Sequence, residues 1–266
     1  MTGCILILMK RWLILFFVLF SSLGFAFYKY TDFQSRRNLP KIEETKTLGA
    51  KEENKASQLI EIPNASYYFD YFEADPDKLF LFGNFEKGEK AEDIKSRFNC
   101  QNLTNGGFYD DKFRPIGLFI SEYEELSPWQ KNQLFNGVFS INMFGTPRIT
   151  RECPRDSLRL ALQSGPLVFE NGGKVVFKSS SDHSRRVVVA VTGENKPLFL
   201  VFYSINNFIE GPTLDELPVL IEKINADLKL GIADALNLDG GTASAFYSQD
   251  LSLSELVKVG SIFCVK

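Results

Sequence analysis

Four polar turns carry the residue types in this sequence that could do chemistry. They are Asn105-Gly106-Gly107, Gln163-Ser164-Gly165-Pro166, Ser184-Arg185-Arg186 and Asn237-Leu238-Asp239-Gly240-Gly241. Each sets polar side chains and backbone N–H groups at the edge of an apolar strand. Glycine lets the backbone approach a ligand closely and take positive φ, and strand-end loops are where sites are built. Asn-Gly and Asp-Gly are also common hairpin turns, so a site requires the four to converge. With one His in 266 residues, a multi-His metal centre is excluded. Acid–base work then rests on carboxylates, and Asp239 is the one inside these turns. A serine-hydrolase reading would use Ser164 as nucleophile, His183 as base and Asp239 to orient it, but the strained Gly-x-Ser-x-Gly elbow is missing. Asp110 and Asp111 follow the first turn. Adjacent loop Asp residues more often face solvent, so no metal is assigned. No cofactor is assigned either.

Strands must position these turns. Residues 66–72 and 78–82 read as a strand pair divided by Asp-Pro turn chemistry. Residues 116–121 and 138–143 read as strands, and 167–169 as a buried strand ending at the hairpin turn Asn171-Gly172-Gly173. Residues 186–191 and 198–203 are strong strands joined by Gly193-Glu194-Asn195. A short strand at 235–238 runs into Asp239-Gly240-Gly241, and 262–265 closes the chain. Helices are expected at 91–98, where Ile94 and Phe98 are four apart, and at 154–163, with Leu158, Leu160, Ala161 and Leu162 apolar. A longer helix lies within 213–230, striped by Leu217, Ile221, Ile224 and Leu228. Thr213 and Glu216 have capping-box spacing, and Pro218 delays the start. The expected class is α+β: a mixed, largely antiparallel sheet with helices on its faces.

Composition bounds the remainder. A charged fraction of 24% and an apolar fraction of 44% are those of a globular protein, not a disordered chain, a collagen or a multi-span membrane protein. A net charge of −3 argues against nucleic acid as a partner. The 25 Phe suggest a sheet-rich core. Lys10 and Arg11 precede an uncharged apolar run at 12–28. Residues 1–33 therefore read as a signal peptide or an uncleaved membrane anchor, and the chain as exported in either case. Residues 34–60 read as a polar linker and 61–266 as the folded domain. Beyond Cys4 remain Cys100, Cys153 and Cys264, which fit either one disulfide with one buried thiol or three buried thiols.

Taken together, the turns resemble a family. Asn105-Gly106-Gly107-Phe108-Tyr109 with Arg114-Pro115-Ile116-Gly117-Leu118 is similar to its block Asn-Gly-Gly-Phe-Phe followed by Pro-Val-Gly. Gln163-Ser164-Gly165-Pro166-Leu167 ahead of Asn171-Gly172-Gly173-Lys174 resembles its Gln-x-Gly-Pro-Leu block and Asp-Gly-Lys turn. Arg185-Arg186-Val187-Val188-Val189-Ala190-Val191 is similar to its Pro-Arg-Thr-Ala-Val-Gly-Val strand, which sets the family arginine on Arg186. Asn237-Leu238-Asp239-Gly240-Gly241-Thr242-Ala243-Ser244 resembles its Asn-Leu-Asp-Gly-Gly-Gly-Ser-Ser signature, with Thr242 and Ala243 as departures. The family is the phosphodiester glycosidases, whose bacterial members are often exported and tied to exopolysaccharide or envelope metabolism.

The resemblance implies hydrolysis of a sugar C1–O–phosphate bond in a glycosyl phosphodiester or envelope glycan. A phosphate ester leaves as a weak base, so cationic stabilisation matters more than a general acid. Arg186 would supply that charge, and Asp239 would activate water or attack C1. The N–H groups of Gly106, Gly107, Gly240 and Gly241 would form an anion nest. Asn105, Gln163 and Asn237 would bind sugar hydroxyls or phosphate, with Ser164, Gly165, Ser244 and His183 as further binding candidates. The membrane would be a partner through an uncleaved N-terminal segment. The alternative is an inactive carbohydrate-binding or envelope-interaction module on the same fold.

Overall fold

The computed structural model describes residues 57–178 and 180–266. The apolar run at 12–28 and the linker up to residue 56 lie outside the described residues. Among the described residues no helix is long and apolar enough to cross a membrane. The strands are β1 (Gln58–Ile62), β2 (Ala65–Glu73), β3 (Leu79–Gly83), β4 (Asn102–Asn105), β5 (Phe119–Ser121), β6 (Glu124–Ser127), β7 (Gly137–Asn142), β8 (Pro147–Thr150), β9 (Leu158–Ser164), β10 (Leu167–Glu170), β11 (Gly173–Lys174), β12 (Arg186–Thr192), β13 (Pro197–Ser204), β14 (Ile232–Asn237), β15 (Phe246–Tyr247), β16 (Ser252–Leu253) and β17 (Ser261–Val265). Helix α1 (Ala91–Phe98) lies between β3 and β4, and α2 (Leu217–Leu228) between β13 and β14.

These strands make a seven-stranded sheet, β1-β2-β13-β12-β14-β10-β11, and two five-stranded sheets, β16-β15-β4-β17-β3 and β6-β5-β9-β7-β8. All ladders among the described residues are antiparallel, so the sheet is not mixed. The three sheets share one core. Alternation along β12 shows how: Val187, Val189 and Val191 enter the common core, while Val188 and Ala190 face α2. Both faces are buried, so the strand reads as one apolar run. Leu217, Leu220, Ile221 and Ile224 of α2 complete that outer layer. Ala91 and Ile94 of α1 cover the outer face of the β4–β17 sheet.

Three local expectations change. Residues 158–164 form strand β9, not the end of a helix. Leu, Ala, Arg and Gln are good helix formers, yet Leu160 and Leu162 follow a period of two into the core and the segment pairs with β5 and β7 on its two sides. Residues 66–72 and 78–82 do not pair with each other. The Asp75-Pro76 break is a single 3-10 turn that passes the chain from β2, paired with β1 and β13, to β3, paired with β17. The last residues assigned to the linker, 58–60, belong to β1 and pair with β2. Two expectations are met in detail. Helix α1 spans 91–98. Helix α2 starts only at Leu217 with Pro218 in its first turn, while the Glu216 carboxylate accepts the Thr213 N–H at 2.8 Å. Cys100 and Cys264 form a disulfide with Cα atoms 5.4 Å apart, and Cys153 is free and exposed rather than buried.

Candidate active site

The four turns meet around the chain leaving β14. The Asp239 N–H donates to the Gly106 carbonyl at 3.2 Å, and Asn105 Nδ2 donates to the Asp239 carbonyl at 2.8 Å. Leu238 N–H donates to Val187 O, and Gly241 N–H to Arg185 O, both at 2.8 Å. Ser164 Oγ donates to the Asn237 carbonyl at 2.8 Å, and Asn237 Nδ2 to the Gly165 carbonyl at 3.0 Å. Residues 134 apart in sequence are thus joined at one hydrogen-bonded hub.

At that hub stands the Asp239 carboxyl. Its Oδ1 accepts the Gly240 N–H at 2.9 Å. Among the described residues Oδ2 accepts no hydrogen bond. Burial raises this carboxyl from 3.8 to about 7, against the small opposing pull of the Gly240 N–H. No cation and no second carboxylate contributes to that shift. A group that titrates near neutrality suits proton transfer at physiological pH. The Tyr109 ring lies close enough for the Asp239 charge to help raise its phenol, whose hydroxyl donates to Lys258 O at 2.6 Å.

Arg186 lies beside the same turn: a Cβ on Gly240 would be 4.0 Å from Arg186 Cδ. Its Nε donates to Pro212 O at 3.0 Å, and Nη2 donates to the carbonyl and carboxylate of Asp182 at 2.7 and 2.9 Å. Nη1 makes no hydrogen bond among the described residues. With Nε and Nη2 anchored and Nη1 unpaired, the guanidinium is suited to take an anion.

Several candidates hold the site rather than face it. The side-chain amide of Gln163 is filled: Oε1 accepts from Leu118 and Gln130 N–H, and Nε2 donates to Gln130 and Phe135 carbonyls. No capacity remains for a sugar hydroxyl. Asn105 is similarly engaged, donating to Gly106 and Asp239 carbonyls and accepting from Ala245 N–H. The fully buried Ser244 hydroxyl accepts from Arg185 Nε and donates to Gly241 O. Asn237 differs: its Oδ1 is buried without a partner. The fully buried Ser164 hydroxyl and the exposed loop position of His183 leave no nucleophile–base pair.

The expected anion nest is largely absent. The Gly106 N–H is committed to Ser261 O, the Gly240 N–H to Asp239 and the Gly241 N–H to Arg185 O. Only Gly107 N–H finds no acceptor among the described residues. Gly106 and Gly107 serve close approach instead. A Cβ on Gly106 would sit 2.3 Å from Ser261 Oγ, and one on Gly107 3.1 Å from the Gln163 carbonyl. Asp110 is also committed, gripping Arg114 through Nε and Nη2 at 2.9 and 2.6 Å.

Two residues escaped the sequence reading. Tyr109 belongs to the first block, and only its place beside Asp239 marks it. Arg185 is 1% exposed. The one sequence signal for it was that two adjacent arginines on a strand point to opposite faces.

Comparison with known proteins matches this chain to a family. The family model described as phosphodiester glycosidase matches residues 98–265, which contain all four turns. The uncharacterized protein YigE of Escherichia coli K12 is 26% identical over 166 residues, covering 58% of this chain and 61% of its own length. The chain thus spans less than two thirds of that relative. Among solved structures, the catalytic domain of zebrafish N-acetylglucosamine-1-phosphodiester alpha-N-acetylglucosaminidase superposes with a TM-score of 0.62 at 13% identity, covering 79% of this chain and 81% of that one. A hypothetical protein from Synechocystis gives 0.58 at 13% identity, covering 79% and 61%. A putative exported protein of Burkholderia pseudomallei gives 0.55 at 10% identity, covering 75% and 74%. At these identities the structural likeness is one of fold.

Proposed function

The chain belongs to the phosphodiester glycosidase family, and from that premise we propose that it hydrolyses the sugar C1–O–phosphate bond of a glycosyl phosphodiester. One observation carries the reading: the Asp239 carboxyl stands desolvated at the hub of four turns, with Arg186 beside the same turn. Ordinary glycosidases pair two carboxyl groups because the leaving alkoxide needs a proton. A phosphate leaving group does not, so one carboxylate and one cation suffice. In the proposed step Asp239 takes a proton from water, the water oxygen bonds to C1, and the C1–O bond breaks with its electron pair passing to phosphate. Arg186 Nη1 stabilises the charge that gathers on the phosphate oxygens.

We place the reaction outside the cytoplasm, on an envelope glycan or exopolysaccharide precursor. The apolar run at 12–28 supports export, as does a disulfide, which persists in oxidising compartments. The test is release of free sugar by the full chain from a panel of sugar-1-phosphodiesters, nucleotide sugars included. The rate is expected to rise with pH through about 7, as Asp239 ionises. Asp239→Asn is expected to lose about 10³-fold or more in kcat, and Arg186→Ala about 10²-fold. A folded protein that releases sugar from none of them would leave the carbohydrate-binding module as the better reading.

A further inference from the structure

Arg185 is charged, yet it is among the most buried large side chains of the molecule. Burial lowers its guanidinium to about 10, so it stays protonated at neutral pH, and the Glu255 carboxylate is the main charge that favours this. Sealing a cation this deeply is costly unless its donors are all used. Nε and Nη2 are used, in two places, while Nη1 makes no hydrogen bond among the described residues. Nε donates to Ser244 Oγ at 2.7 Å and Nη2 to the Ser244 carbonyl, while Nη2 also donates to Ser254 O at 2.9 Å. Ser244 Oγ passes the contact on, donating to the Gly241 carbonyl at 2.6 Å. At the other end of the same residue, the Arg185 carbonyl accepts the Gly241 N–H at 2.8 Å. The fit is close, since a Cβ on Gly240 would lie 2.6 Å from that carbonyl oxygen.

We propose that Arg185 is a positioning residue for the Asp239 carboxyl, gripping the Asp239-Gly240-Gly241 turn at both ends of the Gly241 residue. Its carbonyl holds the Gly241 N–H, and its guanidinium holds the Gly241 carbonyl through Ser244. Gly240, whose N–H fixes Asp239 Oδ1, is thereby set between two anchored neighbours. The hold on Ser254 extends to the next loop, where Leu256 and Val257 N–H groups donate to the Thr242 carbonyl at 2.8 and 3.1 Å. The assignment rests on the reading of Asp239 as the reacting carboxyl. It concerns Arg185, not the phosphate-facing Arg186.

Two variants of the full chain test it. Ser244→Ala removes only the hydroxyl relay. Arg185→Lys keeps the charge but loses the planar fork. The first readout is the titration of the Asp239 carboxyl by carbon-13 NMR. The second is hydrogen exchange at Gly241, and the third is the split between kcat and KM. Tyr109, Arg186 with its partner Asp182, and Glu255, the titratable or charged groups around the turn and Arg185, are unchanged in both variants. Both variants are expected to let water reach the turn. Asp239 would then titrate below its wild-type value, and Gly241 would exchange about tenfold faster or more. Sugar release would lose about 10- to 100-fold in kcat with KM within about threefold. Folded variants in which Asp239 titrates and Gly241 exchanges as in the wild type would overturn the proposal. If Arg185→Lys does not fold, Ser244→Ala decides alone. If the wild-type chain releases no sugar, the glycosidase reading fails, while titration and exchange still decide the role of Arg185.

Discussion

At the scale of single residues, Asp239 is arranged for reactivity at the expense of stability. Its carboxyl titrates at 3.8 in an unfolded chain and at about 7 when folded. Between those values the folded state binds the proton more tightly. Stability is therefore fullest below about pH 4, falls as pH rises to about 7, and is flat above that. Asp239→Asn is expected to gain on the order of 2–4 kcal/mol at pH 8 and almost nothing at pH 4. Urea midpoints at the two values measure this, and equal gains at both would show that the carboxyl is not desolvated. A stabilising change that removes activity is what a strained reactive group should give. The neighbouring amides behave otherwise. Asn105 makes three hydrogen bonds that fix two turns, whereas Asn237 leaves a buried Oδ1 unpaired.

At the scale of elements, the site depends on how closely strand ends approach. Gly165 closes β9 against the segment 134–136, where a Cβ would sit 2.1 Å from the Leu134 carbonyl and 2.9 Å from Asn136 N. Both neighbours are backbone and cannot swing aside. Gly165→Ala is expected to destabilise the fold by about 1–3 kcal/mol. Gly173→Ala, in the β10–β11 hairpin with its nearest neighbour at 3.6 Å, is expected to change it by less than about 0.5 kcal/mol. Thermal melts of the two variants would compare them directly. These approaches also show what a sequence can disclose. Strands β12 and β13 are legible because both faces are buried and no polar residue interrupts them. Three of the four turns that build the site are legible through their glycines. Strand β9 is not, because its residue types favour a helix and only its two neighbours make it a strand. Nor do residue types tell that the N–H groups of Gly106 and Gly241 face inward, since that depends on partners distant in the chain.

At the scale of the whole molecule, the three sheets are joined by phenylalanine. Phe72 and Phe199 of the large sheet lie 5.3 Å apart, Phe199 and Phe263 5.0 Å, and Phe263 and Phe139 5.7 Å, so one aromatic chain links all three sheets. Phe246 extends it, 5.1 Å from Phe72. Strand β17, which carries Phe263, also carries Cys264, whose disulfide to Cys100 ties the end of the chain to the segment leading into β4. Asn105 and Gly106, at the end of β4, hold Asp239. The cross-link therefore spans 164 residues and braces the strand that presents the first turn of the site. Closing so long a loop restricts the unfolded chain strongly, by about 2–5 kcal/mol where such bonds have been removed. Cys100→Ala with Cys264→Ala is expected to lower stability by that amount, seen as an earlier guanidinium midpoint with a steeper slope, because the unfolded chain is released from its cross-link. The exposed Cys153 provides the control: Cys153→Ala is expected to leave the midpoint in place. Equal midpoints for the double variant and the wild type would show that the two thiols are not joined in solution. The support that the disulfide gives to export would then fall with it, while the hydrogen-bonded hub at Asp239, which contains no sulfur, would stand.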